Sequence, residues 1–192
     1  WFTLAANQSD AVSPREVGKY YGEQWNLKGS NQWYLKAALQ GDVAAQHMMG
    51  VRYVFGQGVE VDVQEAGKWF LLAAEQGDAQ SQFSIGQRWV RGEAGEPQDF
   101  AEAAKWFSLA AEQGLDEAQL SLGRRYAEGT GVEQDYVEAY KWFWLAQNQG
   151  KVQGAAGALT EIEAHMTPQQ IAEARKKATA FVPQPPTALP SR

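Results

Sequence analysis

The chain of 192 residues contains no cysteine, so it can form neither a disulfide bond nor a thiolate metal site. Its only two histidines, His47 and His165, do not stand at the spacing of a metal-binding pair. Long apolar runs are also missing, because the segment "WFLLAA" is far shorter than the roughly 20 residues of a membrane-spanning helix. We therefore expect no cofactor, no metal and no insertion into a membrane.

Common catalytic signatures are missing as well. The sequence has no Gly-x-Ser-x-Gly and no Ser-x-x-Lys, and its glycine-rich loops are not followed by Gly-Lys-Ser/Thr. The formal net charge of −6 argues against nucleic acid and anionic membranes as partners. We expect a protein that is not an enzyme.

What the sequence does contain is a repeat. The stretch "KWFLLAAEQGD" at residues 68–78 returns as "KWFSLAAEQGL" at residues 105–115. Matching positions recur every 36 or 37 residues: Trp33, Trp69, Trp106 and Trp142, and Gly41, Gly77, Gly114 and Gly150. Tandem self-similarity of this period is typical of arrays of helical hairpins.

Each repeat is predicted to contain two helices. A capping box, with an aspartate followed three residues later by a glutamate, begins the second helix at Asp62 and Glu65, Asp99 and Glu102, and Asp135 and Glu138. Gly77 is expected to end that helix in the left-handed conformation. The first helix of the same repeat is predicted over residues 43–55.

The recurring residues are assigned to the core. The periodic tryptophans are predicted to be buried, and Trp69, Leu72 and Ala73 are placed on one helix face. Gly50 recurs as Gly86 and Gly123 and is expected to admit the close approach of the paired helix through its alanines. A single hairpin cannot bury its own apolar face, so neighbouring repeats are expected to cover one another.

The period also divides the chain into segments. The start, "WFTLAANQSD", matches the second helix of a repeat, so we expect further residues before Trp1 in the natural protein. Helix starts are predicted at Ser13–Pro14 and at Thr167–Pro168. The expected segments are the end of an upstream repeat at 1–9, a degenerate repeat at 10–41, full repeats at 42–77, 78–114 and 115–150, a partial repeat with a capping helix at 151–182, and an extended or disordered Pro-rich tail at 183–192.

The pattern is similar to the Sel1-like repeat, a relative of the tetratricopeptide repeat. The residues that carry this resemblance are Ala45, Gln46, Gly50, Tyr53, Gly56, Gly58, Val59, Asp62, Ala66, Trp69, Ala73, Ala74 and Gly77. The resemblance implies an all-α fold, a right-handed α-solenoid of antiparallel helix pairs. It also implies an adaptor or scaffold that binds a partner protein or peptide. In bacteria, many such proteins act in the cell envelope as regulators, export scaffolds or immunity proteins against secreted effectors. We therefore expect a periplasmic or secreted monomer.

Side chains that differ between repeats are the candidates for recognition. In solenoids of helix pairs the first helices line the concave surface. The outward positions there are predicted to bind the partner, although several could instead pack against an adjacent repeat: His47, Val51, Val54, Phe55, Phe83, Gln87, Val90, Arg91, Leu120, Arg124 and Glu128. This set combines apolar side chains with arginine, which is typical of protein interfaces.

Alternatives remain open at three places. A hydrolase or a glycan-binding protein could use the same cleft, but it would need convergent polar groups that the sequence does not show. Trp25 and Trp144 lie outside the periodic series, so either could bind a ligand or simply be a surface aromatic. The pair Arg124–Arg125 could meet an acidic ligand or form ion pairs with a neighbouring helix.

Overall fold

The computed structural model describes residues 14–92, 97–150, 152–186 and 188. The predicted end of an upstream repeat, the cap at Ser13 and most of the "GEAGEP" loop lie outside these residues. The described part contains ten helices and no strand: α1 Pro14–Glu23, α2 Leu27–Leu39, α3 Val43–Phe55, α4 Val63–Glu75, α5 Ala79–Arg91, α6 Phe100–Glu112, α7 Asp116–Glu128, α8 Tyr136–Gln149, α9 Ala155–Glu163 and α10 Pro168–Thr179.

The chain forms two compact units. The first contains α1 to α4 and the first residues of α5, and the second runs from Gln82 in α5 to Thr187. Within the first unit, α1 packs on α2, α2 on α3, and α3 on α4. Within the second, α6 packs on α7 and α7 on α8, and α8 also contacts α9 and α10. The predicted all-α class of packed helix pairs is confirmed.

Local capping sets where the second helices begin. The Asp62 carboxylate accepts a hydrogen bond from the Glu65 amide at 2.9 Å, and Asp99 and Asp135 cap α6 and α8 in the same way. The glutamates do not reach back to the cap, as a capping box requires. They pair instead with a lysine one turn later, as Glu65 does with Lys68 at 2.8 Å. Both arrangements place a carboxylate at the positive end of the helix dipole.

Glycines end the helices where the sequence places them. Gly77 follows α4 with φ of +97°, and Gly56 ends α3 with φ of +65°, both in the region that favours glycine. Helix α3 spans Val43–Phe55, as predicted. The prediction of Pro14 in the first turn of α1 is also confirmed.

Tryptophans and phenylalanines fill the space between helices. Trp69, Trp106 and Trp142 are buried as predicted, with exposed fractions of 4–8%. Trp33 is only half-buried, so its assignment to the core holds less well than for the other three. Leu72 is 44% exposed, so its assignment to the core is wrong, and Phe70 holds that role.

The mid-helix glycines each face an aromatic ring. A Cβ built on Gly50 would lie 2.6 Å from the ring of Phe70. The same 2.6 Å approach recurs between Gly86 and Phe107 and between Gly123 and Phe143. The expected close approach is therefore present. The nearest atoms belong to a phenylalanine ring, and at Gly86 and Gly123 the carbonyl oxygen of an alanine on the paired helix follows at 3.3 and 3.2 Å.

Buried glutamines connect the helices within each unit. In the first unit, Gln46 donates to the Ala38 carbonyl at 3.1 Å and accepts from Gln76 at 2.7 Å. In the second unit, Gln119 donates to the Ala111 carbonyl at 3.2 Å and accepts from Gln149 at 3.1 Å. One side chain on a first helix thus joins the second helix of its own repeat to that of the preceding repeat.

The C-terminal helix covers the last repeat. Thr167 forms a capping box with Gln170 and Pro168 occupies the first turn, as predicted. Arg175 Nε donates to the hydroxyl of the buried Tyr140 at 2.9 Å, which fixes α10 on α8. Residues 181–186 continue as extended chain, and the Gln184 amide donates to the Glu112 carbonyl at 2.8 Å.

Candidate functional site

In the first unit the predicted recognition residues lie on α3. Val54 and Phe55 are 39% and 69% exposed at the end of that helix, whereas Val51 is half-buried. The His47 ring lies 5.6 Å from the Phe70 ring, centroid to centroid, so packing already uses one of its faces. The exposed apolar surface in this group is therefore concentrated at Val54 and Phe55.

His47 also contacts a serine and an aspartate, which raises the hydrolase alternative. Its Nδ1 lies 2.9 Å from Ser81 Oγ and 3.3 Å from Asp78 Oδ2. A catalytic triad needs the serine at one ring nitrogen and the carboxylate at the other. Here both meet the same nitrogen, and Ser81 is fully buried. The geometry does not provide an activated nucleophile.

Asp78 instead begins α5. Its Oδ2 accepts the Ser81 amide at 2.7 Å, the usual bond of a helix N-cap. Burial raises the pKa of Asp78, but hydrogen bonds to His47 and to Ser81 outweigh it, so the pKa lies below its ordinary value. The carboxylate is thus held in its charged form as part of the helix start.

In the second unit, a cavity that we call cavity A lies between α5, α6 and α7. Its volume is about 190 Å³. Four predicted residues line it, namely Gln87, Val90, Arg91 and Arg124. The structure therefore brings together side chains that the sequence placed on two different repeats.

A larger recess, cavity B, lies next to it between α7, α8 and α9. Its volume is about 450 Å³. Arg124 and Glu128 line it from α7, while Ala127 and Ala158 contribute apolar surface. Tyr136 and His165 stack at its edge with ring centroids 5.5 Å apart. Arg124 borders both cavities, so the two recesses follow one another along one face of this unit.

The two neighbouring arginines of α7 have different roles. Arg125 pairs with Glu128 at 3.2 Å and lies 5.3 Å from the Phe100 ring, so its ion pair is formed within α7 and not with a neighbouring helix. Arg124 is exposed and forms no ion pair with any carboxylate in the described part of the chain. Its guanidinium is therefore open to a ligand.

Two predicted residues are less available than the sequence indicated. Leu120 is only 6% exposed and packs in the core of the last repeats with Phe143 and Leu159, so it lines no accessible surface. Phe83 is half-buried with its ring 5.6 Å from that of Phe107. Helical periodicity alone could not distinguish these positions from Arg124, which lies one turn from Leu120.

The α9 side of cavity B was missed by sequence reasoning. Gly157, Ala158 and Ile162 line the cavity from a helix that does not match the repeat. The available signal was position, because α9 follows α8 where the first helix of another repeat would stand.

The aromatic residues outside the periodic series differ from each other. Trp144 is half-buried against the core of the last repeats. Trp25 is 88% exposed and has φ of +59°, a left-handed backbone that side chains other than glycine rarely adopt. Trp25 therefore remains a surface aromatic with no cavity beside it among the recesses described above.

Within the described ranges, no group of three histidine or carboxylate side chains is placed to hold a metal ion. None of the helices seen there is both long and apolar enough to cross a bilayer.

Packed pairs of similar helices, repeated along the chain with recesses between first helices, define an α-helical repeat protein. The model of the Sel1 repeat matches residues 15–42, 43–78, 79–115 and 116–150. The chain therefore belongs to the Sel1 repeat family, whose repeats are generally modules for protein–protein interaction. No curated protein sequence matches the chain significantly.

Solved structures of two bacterial proteins are similar. One is a Sel1 repeat protein from Oxalobacter formigenes, 29% identical with a TM-score of 0.70 over 82% of this chain and 63% of that one. The other is c5321, a protective antigen present in uropathogenic Escherichia coli strains and displaying an SLR fold. It is 28% identical with a TM-score of 0.60, over 94% of this chain and 47% of that one. The chain thus spans less than two thirds of either relative.

Proposed function

We propose that this chain is a non-catalytic adaptor that binds a partner protein through the face of its second unit that carries cavities A and B. The observation that supports this most strongly is the convergence of Gln87, Val90, Arg91 and Arg124 on one cavity. The polar members of this set differ between repeats, whereas Val90 stands at the position of Val54 in the preceding repeat. Most other residues that repeat are engaged in packing and capping.

The composition of this face suits a protein partner. The half-buried Val90 lines cavity A, the half-buried Tyr136 and Ala158 line cavity B, and arginine stands beside them. Aromatic residues and arginine are the types enriched in interfaces, where they act as anchors. The exposed Val54 and Phe55 of the first unit provide a separate apolar patch for the same kind of contact.

We also propose that the protein works in the bacterial cell envelope, as a regulator, an export scaffold or an immunity protein. The similarity to bacterial Sel1 proteins, one of them a protective antigen, supports this location. Fractionation of the producing cells, followed by immunoblotting, tests it. Recovery of the protein with cytoplasmic markers alone would reject the envelope role.

The binding function is tested by site-specific photo-crosslinking in the producing cells. A benzophenone amino acid replaces Gln87, which lines cavity A, or Glu128, which lines cavity B. Gln147, exposed on α8 and absent from both cavity linings, is the matched control. We expect a crosslinked protein of defined mass from the first two positions and none from Gln147. Equal crosslinking at all three positions, or none at any, would overturn the proposal.

A further inference from the structure

We infer that this face of the second unit binds an extended peptide segment in which one acidic residue stands between two aliphatic residues. The acidic side chain meets Arg124, and one aliphatic side chain enters each cavity. The inference deepens the proposed protein-binding function and rests on it.

Arg124 is placed to bind the acidic side chain, because this arginine borders both cavities. No carboxylate of the described residues pairs with it, whereas its neighbour Arg125 is engaged by Glu128. Gly154, at the start of α9, lies close to the Arg124 guanidinium, since a Cβ there would stand 3.8 Å from its Nη2, at ordinary contact distance. A planar guanidinium with free N–H groups is suited to bidentate binding of a carboxylate.

The arrangement of the two recesses suits successive side chains. Cavity A, at about 190 Å³, is smaller than the roughly 300–1,000 Å³ of usual small-molecule sites. Cavity B, at about 450 Å³, lies within that range, but Arg124 borders both recesses. Two recesses in succession, separated by one cation, match a peptide that places successive side chains along a surface.

The lining explains the flanking residues. The half-buried Val90 in cavity A, and Ala127 and Ala158 in cavity B, offer apolar surface that an aliphatic side chain can cover. Such surface gives a polar side chain no compensation for its lost hydration. The linings also include Phe107, Phe143 and Ile162, but these side chains are buried in the core.

The charges explain the central acidic residue. Three arginines and no carboxylate line cavity A, in a chain whose net charge is −6. Cavity B is lined by Arg124 and by two glutamates, Glu128, which is paired with Arg125, and Glu161 on α9. The excess of positive charge therefore lies on the cavity A side of Arg124, where it favours an acidic residue and disfavours a basic one.

The test is a peptide-display selection with a random 12-residue library on the full chain, followed by fluorescence anisotropy with the enriched peptides. We expect enriched sequences with Asp or Glu flanked on both sides by Leu, Ile or Val. Arg124→Glu should weaken their binding at least about tenfold, since a charge-assisted bond is lost and repulsion added. Arg124→Lys should retain part of the affinity.

Two further variants separate recognition from folding. Gly157 lines cavity B and has no atom within 4 Å of where its Cβ would stand, so Gly157→Leu should place its side chain in the recess and weaken binding. Lys19→Glu makes the same charge reversal on the exposed surface of α1 and should leave binding unchanged. Thermal unfolding of each variant verifies that the fold is intact.

The inference is overturned by no enrichment, by enriched peptides without an acidic residue, or by undiminished binding to Arg124→Glu. If Gln87 and Glu128 still crosslink to a partner in cells, the protein-binding function stands and only the acidic-peptide inference falls. If the enriched peptides bind as expected but those crosslinks are absent, the proposed cellular function falls.

Discussion

The glycine–phenylalanine contacts predict that one substitution has opposite effects at two helix positions. In Gly123→Ala the new methyl group would lie 2.6 Å from the buried ring of Phe143 and 3.2 Å from the Ala139 carbonyl oxygen. Carbon atoms pack best at roughly 3.5–4.0 Å, so the ring must move by about 1 Å in a filled core. Overpacking of this kind costs about 1–3 kcal/mol.

Gly157→Ala is the matched control, because it makes the same change in α9 with no atom within 4 Å of the new Cβ. Both variants gain about 1 kcal/mol of helix propensity. That gain cancels in the comparison, so their free energies of unfolding should differ by about 1–3 kcal/mol, which is the packing cost itself. Gly157→Ala should stabilise the protein, whereas Gly123→Ala should lose up to about 2 kcal/mol.

Guanidinium denaturation followed by far-UV circular dichroism measures both values. Adding Phe143→Leu to Gly123→Ala should cost less than the sum of the two single changes, because the smaller side chain relieves the contact. Equal stabilisation by both glycine substitutions would refute the close-approach reasoning. Additivity in the double variant would show that the ring is not the obstacle.

Three other outcomes are expected. Trp106 is buried, so Trp106→Ala should lower the free energy of unfolding by about 3–5 kcal/mol. Trp25 is exposed on a left-handed backbone, so Trp25→Gly should change it by less than about 1 kcal/mol. Equal losses in the two variants would contradict this. The buried Arg52 donates to Ser30 Oγ at 3.0 Å, and its Nε and Nη1 have no hydrogen-bond partner. Arg52→Met should therefore keep or raise the thermal midpoint of unfolding. A clear drop in the midpoint would show that the buried guanidinium stabilises the fold. The pKa of Asp78 is lowered in the folded state, so its contribution to stability is present above the unfolded pKa of about 3.9 and is lost as the pH falls below that value. In Asp78→Asn the free energy of unfolding should therefore decrease less between neutral and acidic pH than in the unchanged protein. Denaturation at several pH values measures this.

Local features of the fold could be predicted from the sequence because they depend on a few adjacent residues. Asp62 caps α4, and Gly77 ends it, through bonds and dihedral angles that the neighbouring chain decides. The positions of the other helices could be predicted from the period, because one recognised hairpin fixes where its copies begin and end. Leu72 was misplaced because the buried arc of α4 depends on which helices flank it, and Phe70 rather than Leu72 lies within that arc.

The recognition residues were harder to predict. Leu120 and Arg124 are separated by about one helical turn, yet one is buried and the other open to solvent. Their difference comes from α8 and α9, which cover the first and leave the second at the edge of two cavities. The α9 lining of cavity B has no counterpart in the repeat, so comparison between repeats could not identify it. Whether the remaining predicted residues bind a partner stays a prediction.

The buried glutamines suggest how an array of this kind can change its length. Gln119 satisfies its amide with one group from its own repeat and one from the repeat before it, and Gln46 does the same. A duplicated or deleted repeat would therefore carry its own donor and acceptor and leave no orphaned amide at the junction. Thirty-six residues after Gln119 stands Ala155, which is buried and has no amide to offer. Insertion or deletion of whole repeats is thus compatible with the buried glutamine hydrogen bonds up to α8. At α9 the series of buried glutamines ends.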